Sequence, residues 1–122
     1  MLTLPGSVRV FVAAEPCDFR KSHDGLSGIV SNTLKESPVS GHLFVFFNKR
    51  RDRIKILFHD GSGIWLFYKR LDRGVFESTI HLDGDGVVIE VDMARLQMLL
   101  QGIDLKNSRI RHQFGARRRK CS

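Results

Sequence analysis

The chain has 122 residues, of which 42% are hydrophobic and 27% charged, and this composition fits one globular domain whose core needs neither disulfides nor metal. No apolar stretch approaches the roughly 18–20 residues that cross a bilayer, and the amino end lacks the basic and apolar regions of a secretion signal. We therefore expect a soluble cytoplasmic protein without a membrane partner. The formal net charge is +7, from 20 Lys and Arg against 13 Asp and Glu.

A strand followed by a helix is predicted near the amino end. Residues 8–12 alternate around Arg9 and are rich in β-branched side chains, which favours a strand. Ser22 or Asp24 is a candidate cap for the helix, and Ser37 before Pro38 is its expected end. Four apolar residues between these limits have the spacing of one helical face: Leu26, Ile29, Val30 and Leu34.

The middle of the chain predicts an antiparallel three-stranded meander. Residues 41–48, 53–59 and 64–69 are strongly apolar, and short polar segments connect them. In the middle strand, alternate residues face opposite sides of the sheet. One side carries Ile54, Ile56 and Phe58, and the other carries Arg53, Lys55, Leu57 and His59. The first face is apolar and the second partly basic, and the first helix is the expected cover for the apolar face.

A second hairpin and a second helix are predicted next. Residues 76–82 and 87–91 flank the tight turn 83–86. Asp92 is a good helix N-cap, and Gly102 stands where a helix commonly stops. The apolar face of this helix is formed by Met93, Leu96 and Leu100, with Leu99 at its edge. The fold class is therefore α+β: an antiparallel sheet of about five to six strands, with the central meander, packed with two helices in a single compact domain.

Positive charge accumulates at the carboxyl end. From Lys106 onward the chain has seven basic residues and no acid, which equals the whole net charge, so the preceding part is neutral overall. Such a segment is attracted to phosphate or to an acidic partner, and a solubilising tail is the alternative. We expect one domain over residues 1–105 and a basic, flexible arm over residues 106–122.

Patterns of catalytic or metal-binding residues are missing from the sequence. Cys17 and Cys121 stand alone and far apart, and no two histidines occur as His-x-x-x-His. Asp83 and Asp85 resemble part of a calcium loop but lack its downstream glutamate, which favours a plain hairpin turn. We therefore expect a binding protein rather than an enzyme, with no catalytic residue, cofactor, metal or small-molecule substrate.

Two basic clusters favour nucleic-acid binding. One surrounds the first turn of the meander, residues 49–55, and the other is at the end of its third strand, residues 69–73. We expect the two clusters at opposite ends of adjacent strands. Cations that neutralise phosphates release counterions and give salt-sensitive, largely sequence-independent affinity, whereas a solvated turn is the alternative. The nearby aromatic residues Trp65, Phe67 and Tyr68 favour a core or a protein interface over base stacking.

A series of motifs occurs in one order along the chain. They are Pro16-Cys-Asp-Phe-Arg-Lys-Ser-His-Asp-Gly-Leu26, Ser40-Gly-His-Leu-Phe-Val-Phe46, Arg51-Asp-Arg-Ile-Lys-Ile-Leu57, Asp60-Gly61, Tyr68-Lys-Arg-Leu-Asp-Arg-Gly74 and Leu99-Leu-Gln-Gly-Ile-Asp104. This series resembles the accessory TnpB proteins, the second open reading frame, of the insertion sequence sixty-six group of bacterial transposons. The resemblance covers about residues 5–105. It implies a helper encoded beside a transposase and needed for efficient movement, with strand cutting assigned to the larger protein.

These observations predict a non-catalytic accessory factor for DNA transposition. We expect it to bind the phosphate backbone of DNA, the transposase of the same element, or both. The alternatives are a purely protein-binding adaptor, and a metal-dependent nuclease or DNA-processing enzyme in which Asp18, Asp24 and Asp60 converge. Seven basic residues fall on the motifs of the resemblance: Arg20, Lys21, Arg51, Arg53, Lys55, Lys69 and Arg70. The candidate nucleic-acid-binding residues are Arg20, Lys21, Lys49, Arg50, Arg51, Arg53, Lys55, Lys69, Arg70, Arg73, Arg117, Arg118, Arg119 and Lys120.

Overall fold

A five-stranded mixed sheet carries one helix on each face. The computed structural model describes residues 8–76 and 87–102. In chain order its elements are β1 (Val10–Ala13), α1 (His23–Asn32), β2 (Leu43–Phe47), β3 (Arg53–His59), β4 (Ile64–Arg70), β5 (Val88–Val91) and α2 (Met93–Gln101). The predicted α+β class with two helices is confirmed. No helix in the described ranges is long and apolar enough to cross a membrane.

The strands lie in the order β4-β3-β2-β1-β5. β2, β3 and β4 form the predicted antiparallel meander. β1 and β2 pair in parallel, with Val10 opposite Leu43, because α1 returns the chain to the starting end of the sheet between them. β5 pairs antiparallel with the other side of β1. The expectation of a wholly antiparallel sheet was therefore wrong at this one pair. The predicted hairpin partner of β5 and its turn lie in residues 77–86, outside the described ranges.

Apolar side chains of α2 cover the face of the sheet that includes Ile54 in β3. Leu96 and Leu99 are buried against it. The other members of this core include Val10, Val12, Leu43, Val45, Phe47, Ile56, Phe58, Phe76 and Ile89. The prediction that the first helix covers this face was wrong. The alternation in β3 identified the apolar face correctly, but both helices have an apolar side, and the sequence pattern does not assign a helix to a face.

Helix α1 covers the opposite face, the one predicted to be partly basic. Leu26 and Val30 of the helix are fully buried, and Leu34, just beyond its end, is also buried. They pack on Phe44, Phe46 and Leu57 of the sheet, together with Phe11 and Ala13 of β1. Both faces of the sheet are therefore buried over the central strands, and this is why the sequences of these strands are nearly continuous runs of apolar residues.

The ends of the two helices are fixed by different means. Asp92 caps α2 as predicted, because its Oδ1 accepts a hydrogen bond from the Arg95 backbone N–H at 2.7 Å. Gly102 ends α2 at a φ of +77°, a conformation that glycine adopts at little cost. Ser22 precedes α1, but its side chain makes no capping hydrogen bond. α1 ends at Asn32, before the predicted stop at Ser37-Pro38.

Candidate nucleic-acid interface

The register of β3 and β4 brings the two basic clusters to the same end of the sheet. Arg53 at the start of β3 lies opposite Arg70 at the end of β4. Just beyond this pair, the Leu71 backbone N–H donates to the Asp52 carbonyl at 2.9 Å. The expectation of opposite ends was wrong, because antiparallel β4 finishes where β3 begins. We call residues 49–53 and 69–73 together the basic end; they include seven basic side chains and two acids, Asp52 and Asp72.

A braced turn holds the β2–β3 part of the basic end. The Asn48 Nδ2 group donates to Asp52 Oδ1 at 2.7 Å, and Asn48 Oδ1 accepts from the Arg53 backbone N–H at 3.0 Å. The hydrogen bond from Asn48, aided by the charges of Arg50 and Arg53, holds the pKa of the Asp52 carboxyl below its usual value. Asp52 is therefore ionised at neutral pH, and one of its oxygens serves to hold the turn.

Arg51 occupies the tightest point of this turn. Its backbone φ is +60°, in the left-handed region that a residue other than glycine seldom enters. Its guanidinium carbon lies 4.2 Å from the centre of the Phe47 ring, and its backbone carbonyl accepts from the Phe76 N–H at 2.7 Å. Phe76 is fully buried. Arg51 thus helps to close the end of the core, and Lys49 and Arg50 are the exposed cations of the turn.

Arg53 and Arg70 form a pair of like charges directly across two strands. Arg53 Nε is buried and has no hydrogen-bond partner within the part of the chain that the structure describes. Arg70 is exposed. Like charges directly opposite each other destabilise a strand pair, and an unpaired buried donor adds a further cost. An anion between the two guanidinium groups would relieve both costs, and planar guanidinium groups suit the oxygens of a phosphate.

The remaining cations of the basic end are exposed. Lys69 donates from Nζ to the Leu100 carbonyl at 2.7 Å, at the carboxyl end of α2, where a helix favours positive charge. Arg73 is also exposed, in the bend that follows β4. Gly102 lies beside this bend, since a Cβ atom built there would be 2.7 Å from Leu71 Cδ1. The last described residue of the chain therefore lies at the basic end.

Arg20 and Lys21 lie in the loop that leads from β1 into α1. Arg20 binds its neighbour Asp18, with Nη2 2.7 Å from Oδ2, and this ion pair lowers the pKa of Asp18 to about 2. Lys21 is exposed. The loop starts at the basic end, because the Cys17 backbone N–H donates to the carbonyl of Phe47, the last residue of β2, at 2.9 Å. Lys21 is thus an exposed cation near this end, whereas Arg20 is already paired with a carboxylate.

Lys55 has a structural position instead. Its side chain is only 7% exposed, and its Nζ donates to the carbonyls of Phe19 at 2.9 Å and Lys21 at 2.8 Å. The ammonium also lies 4.9 Å from the centre of the Phe19 ring and 5.3 Å from that of Tyr68. The prediction that Lys55 contacts nucleic acid does not fit this burial. Lys55 instead fastens the β1–α1 loop to the sheet. The four remaining predicted contacts lie outside the described ranges: Arg117, Arg118, Arg119 and Lys120.

The three aspartates of the nuclease alternative are not brought together. Asp18 and Asp24 flank the start of α1, at the basic end, whereas Asp60 follows β3 at the opposite end of the sheet. Among the described residues no group of three or more His, Cys, Asp and Glu could hold a metal ion. Burial raises the pKa of the half-buried Cys17 thiol to about 11, so this side chain is a poor nucleophile at neutral pH.

Comparison with known proteins gives the family of this chain. The family model described as "IS66 Orf2 like protein" matches residues 8–110. The chain belongs to that family. It is also 37% identical over 107 residues to "Uncharacterized protein y4hO" of Sinorhizobium fredii (strain NBRC 101917 / NGR234), covering 88% of this chain and 90% of the relative. "Uncharacterized protein y4jC" of the same strain is 35% identical over 97 residues, with 80% of each chain covered. No solved structure matches.

Membership of the IS66 Orf2 like family confirms the resemblance seen in the sequence motifs and supports an accessory role associated with transposition. Sequence reasoning identified the basic residues of the turn and of β4. It did not anticipate Asn48, which braces the turn, or Phe47, on which Arg51 rests. The signal for Asn48 was available, because Asn and Asp side chains commonly bond to the backbone of turns.

Proposed function

We propose that this member of the IS66 Orf2 like family is a non-catalytic accessory factor that binds DNA through its basic end and also binds the transposase of its own element. The basic arm over residues 106–122 adds further contacts to the DNA backbone. The protein acts by position: phosphate contacts hold it on DNA, and its contact with the transposase raises the local concentration of that enzyme there.

The observation that carries this proposal is the Arg53–Arg70 pair. Two arginines lie directly opposite each other on neighbouring strands, in a cluster with seven basic side chains and two acids. Asp52, one of those acids, already accepts a hydrogen bond from Asn48. The cluster therefore has more basic than acidic side chains at one end of the sheet, which suits the closely spaced phosphates of a nucleic acid.

Phosphate contacts, rather than base contacts, are what this surface supports. The exposed groups of the basic end are mainly Lys and Arg at a strand end. Such contacts position a protein on DNA but carry no direct sequence information. We expect similar affinity for duplexes from the ends of the element and for scrambled duplexes of equal length.

Fluorescence anisotropy of the full-length protein with labelled duplexes, over a series of salt concentrations, tests the DNA part of the proposal. Each phosphate contact contributes about 0.9 to the slope of log affinity against log salt. Arg70→Gln should lower this slope by about one contact. Lys35→Gln is the matched control, because Lys35 is an exposed cation that follows α1 at the other end of the sheet.

Equal effects of the two substitutions would contradict an interface at the basic end, and the absence of binding at low salt would remove DNA from the function. Capture of the transposase on the immobilised protein, in nuclease-treated extract, tests the second part. Retention of transposase by a protein that does not bind DNA would establish the adaptor function instead. Retention of neither partner would overturn the whole proposal.

A further inference from the structure

Strand β4 is an open edge of the sheet with a largely apolar surface. It is the last strand in the sheet order, so one side of its backbone has no partner strand among the described residues. It pairs with β3 without interruption over seven residues and contains no proline. Edge strands in soluble proteins are usually short, bulged or charged, because a long regular edge is a template for pairing with another strand.

Exposed aromatic side chains lie along this edge. Trp65 is 44% exposed and Phe67 is 39% exposed, and their rings stack with centres 6.0 Å apart and planes 6° apart. Tyr68, on the other face, is 54% exposed. A groove of about 280 Å³ runs beside Phe67, with Leu100 of α2 among its lining residues. Helix α2 therefore leaves the outer part of this sheet face open.

The charges around the aromatic pair favour a protein over a nucleic acid as the occupant. Trp65 Nε1 donates to Asp60 Oδ2 at 2.8 Å. The hydrogen bonds from the Ser62 backbone, the Trp65 ring and the Gly63 backbone hold the pKa of the Asp60 carboxyl well below its usual range, so this group is ionised at neutral pH. A carboxylate fixed beside the indole repels the phosphates that would accompany a stacked base.

We propose that β4 pairs with β4 of a second copy of the chain, antiparallel and across a two-fold axis, to give a continuous ten-stranded sheet. The strand is self-complementary: its first half is apolar and follows Asp60, and its last two residues are Lys69 and Arg70. Antiparallel pairing separates the two basic halves, whereas parallel pairing would align them. A closed two-fold contact also covers the β4 edge of both copies.

The register that best matches the side chains centres the axis on Phe67. Phe67 then lies opposite Phe67 of the second copy. Lys69 lies opposite Trp65 of the second copy, which allows a cation–π contact between the ammonium and the indole ring. Arg70 faces Ile64, so no like charges are opposed. This dimer does not rest on the proposed function: the paired strands include Lys69 and Arg70 of the basic end, but the pairing uses the outer edge of β4 and does not require DNA binding.

Analytical ultracentrifugation of the full-length protein over a range of concentrations tests this proposal. We expect a concentration-dependent dimer, and Phe67→Lys should convert it to a monomer by placing two ammonium groups directly opposite each other at the axis. Val39→Lys is the matched control: Val39 is a 59% exposed apolar residue outside the sheet, so the same change there should leave the dimer intact. Circular dichroism checks that both variants are folded.

Disulfide trapping gives a second readout that does not depend on loss of association. Residues directly opposite each other in antiparallel strands have Cα atoms about 4.5–5.5 Å apart, within the roughly 4.4–6.8 Å that a disulfide spans. Phe67→Cys, in a chain with Cys17→Ala and Cys121→Ser, should form a covalent dimer on mild oxidation, and Val39→Cys in the same background should not. A wild-type protein that is monomeric at every concentration, or equal cross-linking at both positions, would overturn the proposal.

Discussion

Arg53 and Lys55 lie two positions apart on the same face of β3, yet their charged groups have different surroundings. Arg53 is at the strand end, opposite another arginine, and its Nε has no partner in the described ranges. Lys55 lies two residues further along the strand, beneath the β1–α1 loop, where two backbone carbonyls accept hydrogen bonds from its ammonium group. The positive charge of Arg53 therefore lies at the end of the sheet, whereas that of Lys55 fastens a loop inside the fold.

Replacement of Lys55 by Met should destabilise the protein. The carbonyls of Phe19 and Lys21 would lose a charged donor in a buried site, a change that costs about 1–3 kcal/mol. Urea unfolding followed by circular dichroism measures this change. Lys69→Met is the control, since Lys69 donates to one carbonyl at an exposed helix end and should cost no more than about 0.5 kcal/mol. Equal costs would show that burial of Lys55 has no stabilising role.

The Asp60 carboxylate makes the stability of the β3–β4 turn depend on pH. Its Oδ1 accepts hydrogen bonds from the backbone of Ser62 at 2.9 Å and of Gly63 at 3.0 Å. Because its pKa is lower in the folded than in the unfolded chain, its contribution is complete above the unfolded value of about 3.9 and is lost as pH falls through the folded value. Asp60→Asn should therefore lower Tm at neutral pH.

The difference in Tm between wild type and Asp60→Asn should shrink as the pH is lowered below about 4. Trp65 provides a local readout, because its indole donates to the same carboxylate and its fluorescence reports on the turn. A difference in Tm that stays constant across the acid range would mean that the charge of Asp60 does not stabilise the turn.

At the scale of helices and strands, the local signals predicted the elements, and the pairing of elements was less predictable. Asp92 and Gly102 gave both ends of α2. The parallel pairing of β1 with β2 depends on where α1 packs, across about thirty residues of sequence, and no local pattern specifies it. The burial of Lys55 likewise depends on the distant β1–α1 loop. The shared location of the two basic clusters, by contrast, follows from antiparallel connectivity alone and was predictable.

The two helix starts give a matched test of capping. Asp92→Ala removes the acceptor of the Arg95 N–H and should cost about 0.5–2 kcal/mol of folding free energy. Ser22→Ala should cost much less, because the Ser22 hydroxyl lies 3.1 Å from His23 Nδ1 and makes no capping bond to the helix backbone. Chemical unfolding of both variants measures the difference. A larger loss for Ser22→Ala would contradict the capping arrangement.

At the scale of the whole molecule, the charge is divided between a neutral domain with a local basic end and a strongly basic terminus. The seven basic residues from Lys106 onward equal the net charge of +7, so a chain ending at Leu105 is formally neutral. Gly102, the last described residue, lies against Leu71 of the basic end. In the proposed function, both the basic end and the terminus bind DNA phosphates.

Removal of the terminus separates these two contributions. If both bind phosphates, the chain ending at Leu105 should bind duplex DNA more weakly than the full-length protein, and its slope of log affinity against log salt should fall by about 0.9 for each phosphate that is no longer neutralised. The remaining slope should fall again with Arg70→Gln, because that charge belongs to the basic end. Anisotropy titrations in one salt series measure both changes, with the full-length protein, the chain ending at Leu105 and the Arg70→Gln variant of each. Equal slopes for the full-length and shortened chains would make the terminus irrelevant to DNA, and a shortened chain without any salt-dependent binding would exclude the basic end as an independent phosphate site.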